Sequence, residues 1–396
     1  MNINIKRGLA CGEITPPPSK SYAHRLLIGC ALSGGGSVSG IIGSEDMKAT
    51  LRCIEALGVG FSQKNDKITF LFKKERTNRF YCHESGSTLR FFIPLSLVYE
   101  GECLFFGTEK LMSRGLSVYT EIFDRQGIEY SLDKECLRVK GQLKPDHFKV
   151  RGDISSQFIT GLLFALPLLC GDSIVEITTE LQSEGYVDIT LDVLSRLGIK
   201  ITREDNKFYI KGNQRYLKGD YSVEADASNS AFLEALNLLG GHVSVLGLNE
   251  NTLQADYQYK KIFEELKNGT PQIDLSSCPD LGPITFCMAA YFNGATFVGI
   301  ERLRIKESDR VGEVICELEK MGVKSKVFQD KAIIEGGIHP PSVPLCGHND
   351  HRLVMSLAVL LTALGGELCG CEAVTKSYPH FFEDLKRLGI LMEGEN

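Results

Sequence analysis

Apolar and polar positions along the chain repeat one arrangement six times. In each copy a polar helix start leads into an apolar helix body, a glycine ends the helix, and a β-rich segment follows. The predicted first helices fall in the segments 19–36, 84–101, 153–171, 226–241, 279–294 and 347–366. Self-similarity at a regular interval indicates a repeat architecture, so we expect six related units.

A second pattern alternates with the first. It is an amphipathic helix that ends at a glycine, and a β-branched residue follows that glycine. The glycines are Gly58, Gly127, Gly198, Gly269, Gly322 and Gly389. By subtraction they lie 69, 71, 71, 53 and 67 residues apart. The fourth unit is therefore the short one, and we expect its hairpin to be reduced.

Pairs of short β-rich runs follow most of the second helices. The clearest pairs lie at 61–72, 130–139 and 201–210, and each turns at polar residues, which is typical of a β-hairpin. A unit therefore reads strand, helix, strand, helix, strand, strand. This order predicts an α/β fold with right-handed crossovers. Because one such unit cannot close a core alone, we expect the six to gather as three and three.

The chain of 396 residues is too long for one ordinary core, so it should form two domains. Candidate borders are the prolines at 16–18 and the stretch Asp220–Ala225 between the third and fourth units. We predict one domain at 18–223 and a second at 1–17 together with 224–396. Two chain crossings at one border form a natural hinge, so we expect an active site in the cleft between the domains.

Composition excludes several classes of function. A net charge of −6 argues against broad nucleic-acid binding. We recognise no secretory signal, and the longest apolar run, 158–170, is shorter than the roughly 20 residues of a membrane span. The 13 cysteines are scattered without a C-x-x-C pair, as in a reducing compartment. We expect a cytoplasmic protein without membrane contact. No zinc spacing, P-loop or dinucleotide fingerprint is present, so no metal or cofactor is expected.

Candidate chemistry lies at the helix starts. The first start, after the prolines, carries Lys20, Ser21 and Arg25. Cations are repelled by the positive end of a helix dipole, so this pattern favours an anion bound there by backbone N–H groups and side chains. For this stretch alone, a solvated basic turn is the better interpretation.

Other starts offer related groups, and each taken alone could be an ordinary cap or a solvated helix face. They are Gly86 with Arg90, Arg114, Ser155-Ser156-Gln157, Ser183, Lys306-Glu307-Ser308-Asp309-Arg310, Asp350-His351-Arg352 and Lys376. Their conjunction is more informative, because Arg and Lys recur at corresponding places in both halves, with Asp280 and Glu307 among them. Cations suit phosphates and carboxylates, whereas acids in such a cleft suggest proton transfer. The residues predict an enzyme acting on phosphorylated, carboxylated small molecules.

These motifs in this order resemble the 5-enolpyruvylshikimate-3-phosphate synthase (3-phosphoshikimate 1-carboxyvinyltransferase) family, across nearly the whole chain. The most specific matches are Pro18-Ser19-Lys20-Ser21 with Arg25, Ser155-Ser156-Gln157-Phe158, the 306–310 run and Asn349-Asp350-His351-Arg352. The resemblance implies two inverse α/β domains, each of three βαβαββ repeats with pseudo-threefold symmetry. It also implies transfer of the enolpyruvyl group of phosphoenolpyruvate to the 5-hydroxyl of shikimate-3-phosphate, with release of phosphate.

The resemblance assigns roles to matching residues. Asp280 would accept the proton of the attacking hydroxyl, Glu307 would protonate the methylene carbon, and Lys20 would touch both substrates. Shikimate-3-phosphate would be bound by Lys20, Ser21, Arg25, Ser155, Ser156, Gln157, Ser183, Asp280 and Lys306. Phosphoenolpyruvate would be bound by Lys20, Gly86, Arg114, Gln157, Arg310, Arg352 and Lys376. Glyphosate is the expected inhibitor, and we expect a monomer.

Some residues depart from common family members. Glu84 stands where Asn is frequent, Phe91 stands where Pro is frequent, and Arg302 replaces an Asn. The Phe91 change leaves glyphosate sensitivity open.

Three alternatives remain: the sister enzyme that transfers enolpyruvate to UDP-N-acetylglucosamine, a non-catalytic anion-binding protein, and a structural repeat scaffold. The segment 109–113 lacks the reactive Cys of the sister family, and intact Asp280 and Glu307 count against the second alternative.

Overall fold

The structure is a computed structural model that describes residues 1–395. Contacts between Cα atoms divide it into two units. We call Pro18–Glu224 the N-terminal unit, and Met1–Pro17 together with the chain from Ala225 onward the C-terminal unit. The division after Glu224 lies one residue beyond the expected border. No helix in the described part of the chain is long and apolar enough to cross a membrane.

The helices follow the predicted alternation of first and second helices, with one short extra helix, α4. The α-helices are α1 (Lys20–Ser33), α2 (Glu45–Ala56), α3 (Gly86–Ser96), α4 (Glu109–Ser113), α5 (Ser117–Gln126), α6 (Ser156–Ala165), α7 (Glu184–Arg196), α8 (Ala227–Leu238), α9 (Tyr259–Asn268), α10 (Gly282–Tyr291), α11 (Arg310–Glu319), α12 (His351–Leu364) and α13 (Phe381–Arg387). Short 3₁₀ segments lie at Leu166–Leu168, Ala255–Gln258, Pro279–Leu281, Glu301–Ile305 and Cys371–Lys376.

The strands are short, and most have three to six residues. They are β1 (Asn2–Ile5), β2 (Cys11–Ile14), β3 (Ser37–Ser39), β4 (Val59–Lys64), β5 (Lys67–Lys73), β6 (Arg79–His83), β7 (Gly101–Gly107), β8 (Glu129–Leu132), β9 (Cys136–Gly141), β10 (His147–Val150), β11 (Ser173–Ile177), β12 (Ile201–Glu204), β13 (Lys207–Ile210), β14 (Asp220–Ser222), β15 (His242–Val245), β16 (Gln272–Asp274), β17 (Gly294–Val298), β18 (Ser325–Val327), β19 (Lys331–Glu335), β20 (Leu345–Cys346), β21 (Gly366–Cys369) and β22 (Met392–Glu395).

The N-terminal unit contains three four-stranded sheets with one topology. Their strand orders are β14-β3-β5-β4, β6-β7-β9-β8 and β10-β11-β13-β12. In each sheet the first two strands are parallel and the remaining pairs are antiparallel. Strand β14, at the end of the third repeat, supplies the strand that the first repeat lacks. The end of this unit therefore completes its beginning.

The C-terminal unit repeats this topology and uses the start of the chain to complete it. Two four-stranded sheets have the orders β16-β17-β19-β18 and β20-β21-β1-β22. Strand β1 is antiparallel to both β21 and β22, so it serves as one hairpin strand of the sixth repeat. Strand β2 runs parallel to β15 in a two-stranded sheet. The fourth repeat has no hairpin strands in this sheet, which confirms that it is the reduced unit.

The two classes of helix differ in burial, and this difference places the first helices inside each unit. Every residue of α10 from Gly282 to Ala290 is buried. In contrast, α9 buries only one stripe, made of Tyr259, Ile262, Phe263 and Leu266, at the i, i+3, i+4, i+7 spacing of a surface helix. A helix buried all round belongs in a core. The first helices are thus central and the sheets lie outside them, as in the inverse α/β fold that the family resemblance implied.

One glycine shows how closely the central helices pack. A Cβ atom at Gly161 of α6 would lie 2.4 Å from the Arg90 carbonyl oxygen of α3 and 2.4 Å from the Tyr119 hydroxyl. That hydroxyl donates to the same Arg90 oxygen at 2.6 Å. Only a residue without a side chain fits this crossing. The close approach brings the starts of α3 and α6 together, where the candidate site residues lie.

Candidate active-site residues in two half-sites

The first helices of the N-terminal unit begin with uncharged caps. The hydroxyl oxygens of Ser19, Ser85 and Ser155 accept backbone N–H groups of Tyr22 at 3.5 Å, Thr88 at 3.3 Å and Gln157 at 3.4 Å. A serine cap satisfies one N–H group without adding negative charge. The positive ends of α1, α3 and α6 are therefore not neutralised by their own caps, which favours an external anion.

Lys20, the first residue of α1, pairs with a residue that the sequence analysis missed. Its Nζ lies 2.9 Å from Oδ2 of Asp46, in the first turn of α2. Both side chains are about four-fifths buried, with 22% and 17% of their surfaces exposed. Acids are ordinary in the first turn of a helix, so residue type and position alone do not indicate that Asp46 has a further partner.

Arg25 is buried and bonded only to neutral oxygens. Its Nε donates to Thr190 Oγ1 at 2.8 Å, Nη1 to the Ser21 carbonyl at 2.8 Å, and Nη2 to the Tyr186 carbonyl at 2.9 Å and Thr160 Oγ1 at 3.3 Å. Burial lowers the pKa of its guanidinium to about 10. It forms no ion pair within residues 1–395, so an anion would compensate its charge.

A second basic group surrounds Gly86. A Cβ atom there would lie 3.0 Å from Nη1 of Arg90 and 3.0 Å from Nη1 of Arg114, so both guanidinium groups flank the glycine. Arg90 also donates to Oε1 of Gln157 at 2.7 Å, and Gln157 donates to Ser87 at 2.9 Å. Two like charges at one point are best accommodated by an anion. The sequence placed Arg90 at this helix start but not among the substrate contacts.

The remaining serines lie at the starts of α6 and α7 in the same unit. Ser156 is the first residue of α6 and is buried. Ser183 precedes α7, is buried, and has a φ of 55° in the left-handed region. Arg25 bonds to α7 through Tyr186 and Thr190, and to α6 through Thr160. The starts of α1, α6 and α7 thus belong to one bonded group.

We call the cluster of Asp280, Lys306, Glu307, Arg310, Asp350 and Arg352 the half-site of the C-terminal unit, and Arg310 lies at its centre. Only 1% of its side chain is exposed, and it contacts three carboxylates. Its Nε lies 2.8 Å from Asp350 Oδ2, Nη1 lies 2.8 Å from Asp280 Oδ1, and Nη2 lies 2.7 Å from Glu307 Oε2. These contacts raise the pKa of Arg310 against the effect of its burial. The 306–310 run is therefore not a solvated helix face, although that was its simpler interpretation in isolation.

Asp280 joins the starts of α10 and α12. Nη2 of Arg352 lies 2.7 Å from its Oδ2, and Lys306 Nζ lies 3.9 Å from its Oδ1. Burial alone would raise the pKa of this carboxyl, but the charges of Arg352, Lys306 and Arg310 outweigh it and hold the pKa well below its usual range. Asp280 is consequently ionised at neutral pH.

Lys306 and Asp350 complete a cluster with balanced charge. Burial lowers the pKa of Lys306 to about 8, and Asp280 partly opposes that shift. Asp350 is fully buried and caps α12 through the Arg352 N–H at 2.8 Å. Burial opposes its ionisation, but Arg310 outweighs this and lowers its pKa. The cations Lys306, Arg310 and Arg352 face the carboxylates of Asp280, Glu307 and Asp350 in equal number.

Two further residues border this cluster. Lys376 Nζ donates to the Asn349 carbonyl at 2.8 Å, next to Asp350. Asp256, which the sequence analysis did not identify, is buried and hydrogen-bonded to Ser228 at the start of α8. Burial and the charge of Asp280 raise its pKa to about 7. Asp256 lies in a 3₁₀ turn without a recognisable motif, so no sequence signal pointed to it.

The structure therefore brings the predicted residues together within each unit. Lys20, Ser21, Arg25, Gly86, Arg114, the serines and Gln157 lie in the N-terminal unit, and Asp280, Lys306, Glu307, Arg310, Arg352 and Lys376 in the C-terminal unit. Among residues 1–395, no three His, Cys, Asp or Glu side chains form a group that could hold a metal ion. The arrangement can bind anions in the first group and hold ionised carboxylates among cations in the second.

Comparison with known proteins connects these groups to one family. A family model described as EPSP synthase (3-phosphoshikimate 1-carboxyvinyltransferase) matches residues 6–385. The 3-phosphoshikimate 1-carboxyvinyltransferase of Clostridioides difficile (strain 630) is 41% identical, over 96% of this chain and 95% of that protein. The enzyme of the same name from Clostridium novyi (strain NT) is 40% identical, over 99% of this chain and 98% of that protein.

Solved structures show the same fold. Two structures of EPSP synthase from Acinetobacter baumannii superpose with TM-scores of 0.79 and 0.80. They cover 99% and 100% of this chain and the whole of each matched chain, at 23% and 22% sequence identity. At that identity they support the fold, whereas the relatives of about 40% identity support the family.

Proposed function

The chain belongs to the EPSP synthase (3-phosphoshikimate 1-carboxyvinyltransferase) family, and from this premise we propose how its residues divide the reaction. The activity is transfer of the 1-carboxyvinyl group to shikimate-3-phosphate, with phosphoenolpyruvate as donor. Both substrates carry a phosphate and a carboxylate, so binding requires several cations and helix starts. The observation that carries the proposal is Arg25, a buried cation whose bonded partners are all neutral.

Shikimate-3-phosphate is bound mainly by the N-terminal unit. Arg25 compensates the substrate carboxylate. The hydroxyls and N–H groups of Ser155, Ser156 and Ser183 hold the phosphate. The first turn of α6 contains no acidic residue, so its positive dipole end is available to the ligand. Further contacts come from Lys20, Ser21, Gln157, Asp280 and Lys306.

Phosphoenolpyruvate is bound by basic residues of both the N-terminal and the C-terminal unit. Gly86 supports this assignment because the Arg90 and Arg114 guanidinium groups flank it. Arg310 already has three carboxylate partners, so we propose that it reaches phosphoenolpyruvate only after one of them moves or is protonated. The full set is Lys20, Gly86, Arg114, Gln157, Arg310, Arg352 and Lys376.

Asp280 and Glu307, two of the three carboxylates that contact Arg310, transfer the protons. Glu307 delivers a proton to the methylene carbon, positive charge develops at C2, and the 5-hydroxyl oxygen bonds to C2 as its proton passes to Asp280. The product is a tetrahedral intermediate. The methyl group then returns one proton to the Glu307 carboxylate as the C2–O bond to phosphate breaks, which gives the enol ether, and the proton held by Asp280 leaves with the phosphate. Lys20 orients both substrates and stabilises charge.

The low pKa of Asp280 suits a base whose proton affinity increases when substrate binds. Two arginines and Lys306 now stabilise its anion, which weakens it as a proton acceptor. Substrate phosphate and carboxylate groups that draw on the same cations would raise this pKa toward neutrality. Glu307 must take up a proton before it acts, and its ion pair with Arg310 favours the ionised form until substrate charge competes.

The testing experiment is a phosphate-release assay with each substrate alone and with both. We expect release only when shikimate-3-phosphate and phosphoenolpyruvate are present together. Turnover with UDP-N-acetylglucosamine in place of shikimate-3-phosphate would instead support the sister activity. No release with either acceptor, despite binding of the substrates, would support an anion-binding protein.

We further propose that glyphosate inhibits this enzyme, that the protein is a monomer in solution and that it is located in the cytoplasm. Phe91 supports altered rather than absent inhibition, since its ring packs 5.3 Å from the Arg25 guanidinium carbon on the α3 helix that begins at Gly86. Inhibition constants for wild type and Phe91→Pro test the first property. Sedimentation equilibrium tests the second, because a dimer would sediment at twice the chain mass.

A further inference from the structure

The turn before α12 holds two consecutive residues in the left-handed region. His348 has a φ of 47° and Asn349 a φ of 55°, and neither is glycine. Residues other than glycine adopt this backbone conformation at an energetic cost, so it persists only where surrounding contacts enforce it. The next residue is Asp350, the carboxylate that contacts Arg310 and caps α12.

His348 is held between two carboxylates of α11. Its Nε2 lies 2.7 Å from Glu317 Oε1, and its Nδ1 lies 2.8 Å from Glu313 Oε2. An ionised carboxylate only accepts hydrogen bonds, so Nε2 is the donor to Glu317, while Nδ1 lies within ion-pair distance of Glu313. The ring therefore fastens the turn to α11 at two points.

Glu317 is the fixed end of this contact. Its side chain is completely buried, and its oxygens also lie 2.8 Å and 2.9 Å from Lys320 Nζ. Oε2 accepts the Cys346 N–H at 2.9 Å, so the carboxylate contacts both the backbone and a side chain of the turn. A buried carboxylate with this many donors is held in one position. Helix α11 carries Arg310 at its other end.

The turn presents three groups of the half-site. Asp350 contacts Arg310, the Asn349 carbonyl accepts Lys376 Nζ, and Arg352 contacts Asp280. We propose that His348 and Glu317 are positioning residues that fix this turn, and so set the geometry of the cations that receive phosphoenolpyruvate. They act through the backbone and do not touch substrate. This inference rests on the proposed function of the same half-site.

The test is His348→Gly, because glycine accepts the left-handed backbone without strain and only the ring is lost. We expect the KM for phosphoenolpyruvate to rise at least fivefold and kcat to fall, while the dissociation constant of shikimate-3-phosphate stays within twofold. Calorimetry and phosphate release give the two readouts. His348→Lys returns a cationic donor to the carboxylates and should recover part of the loss.

His83→Gly is the matched control. His83 also has a left-handed φ, of 54°, and also lies two residues before the cap of a first helix. Its ring makes no hydrogen bond to a carboxylate in the described part of the chain, so we expect wild-type kinetics.

Three outcomes would overturn the inference. One is an unchanged KM for phosphoenolpyruvate in His348→Gly, including the case in which only the melting temperature falls. Another is an equal loss of affinity for both substrates. An inactive wild type with bound substrates would overturn the proposed function and the inference together, which distinguishes the two failures.

Discussion

The first helices of the N-terminal unit start at serine caps, whereas those of the C-terminal unit start at aspartates. Ser19, Ser85 and Ser155 cap α1, α3 and α6. In the C-terminal unit Asp226 and Asp350 cap α8 and α12, and Asp280 lies in the turn that leads into α10. The same repeat thus begins with a neutral group in one unit and with an anion in the other.

The basic side chains of the two units also differ in whether they pair with carboxylates. Arg25 and Arg114 form no ion pair with a carboxylate in residues 1–395, although both lie at helix starts or beside them. Arg310, Arg352 and Lys306 contact carboxylates of their own unit. An anion that binds the first unit gains uncompensated positive charge, whereas an anion that binds the second must compete with internal acids. From this difference we propose that substrate binds first to the N-terminal unit and that the C-terminal unit transfers protons.

The largest expected effect is that of Asp280→Asn. The amide keeps the shape of the side chain but cannot accept the hydroxyl proton, so kcat should fall by about 10²- to 10⁴-fold, the range for general-base catalysis. Affinity for shikimate-3-phosphate should change little by comparison. Steady-state kinetics and calorimetry measure the two quantities, and equal losses in both would remove Asp280 from the role of base.

Arg310→Met tests the internal neutralisation of the C-terminal unit. It leaves the buried carboxylate of Asp350 without its cation, and we expect a loss of about 3–5 kcal/mol in the free energy of unfolding, as for broken buried ion pairs. Urea unfolding followed by circular dichroism measures it. Arg304→Met is the control, since its contact with Asp309 is partly exposed and such pairs contribute about 0–1 kcal/mol. Similar losses for the two variants would contradict the comparison.

Arg25→Met tests the opposite unit. The affinity for shikimate-3-phosphate should fall by about 1.5–3 kcal/mol, roughly 10- to 150-fold, the value of a hydrogen bond to a charged group. The free energy of unfolding should fall less than in Arg310→Met, because the partners of Arg25 are neutral. Two of these partners, Thr160 and Thr190, already bond to each other at 2.8 Å. The partly exposed Arg138 provides an Arg→Met control that should retain affinity. If Arg25→Met lowered the free energy of unfolding as much as Arg310→Met does, Arg25 would have a structural role and not a binding role.

The smallest expected effect is a pH dependence from Lys306. Its pKa is lowered to about 8, so the cation is present below that pH and is lost above it. Because kcat/KM reports groups of the free enzyme, it should decline by about tenfold per pH unit above the pKa. Lys306→Arg keeps its charge at all these pH values and should move the decline upward. An unchanged alkaline profile in the variant would show that another group titrates.

The repeat architecture could be predicted from local pattern, but its closure could not. The glycine spacing and polar helix starts identified all twelve paired helices and the reduced fourth unit. Strand β1 completes the sixth repeat and β14 the first, although each is distant in sequence from its partners. An alternating segment such as Asn2–Ile5 indicates a strand but not the sheet that it joins. Pairing depends on the tertiary fold.

The candidate site shows a similar limit. Arg310 and Asp280 were identified from residue type and motif, but their mutual ion pair was not, because Asp280 and Arg310 are 30 residues apart and meet only through the packing of α10 and α11. Asp46 and Asp256 were missed for a different reason. Their positions are those of ordinary helix-start acids and 3₁₀ turns, and their burial beside Lys20 and Asp280 becomes visible only in three dimensions.

The most direct test of the contrast is the dissociation constant of shikimate-3-phosphate, measured by calorimetry without phosphoenolpyruvate, for Arg25→Met and Arg352→Met. The charge of Arg25 is available to a ligand, whereas that of Arg352 is taken by Asp280. We predict at least a tenfold loss for Arg25→Met and a change within about threefold for Arg352→Met, which is less than 1 kcal/mol. The reverse order would contradict the account.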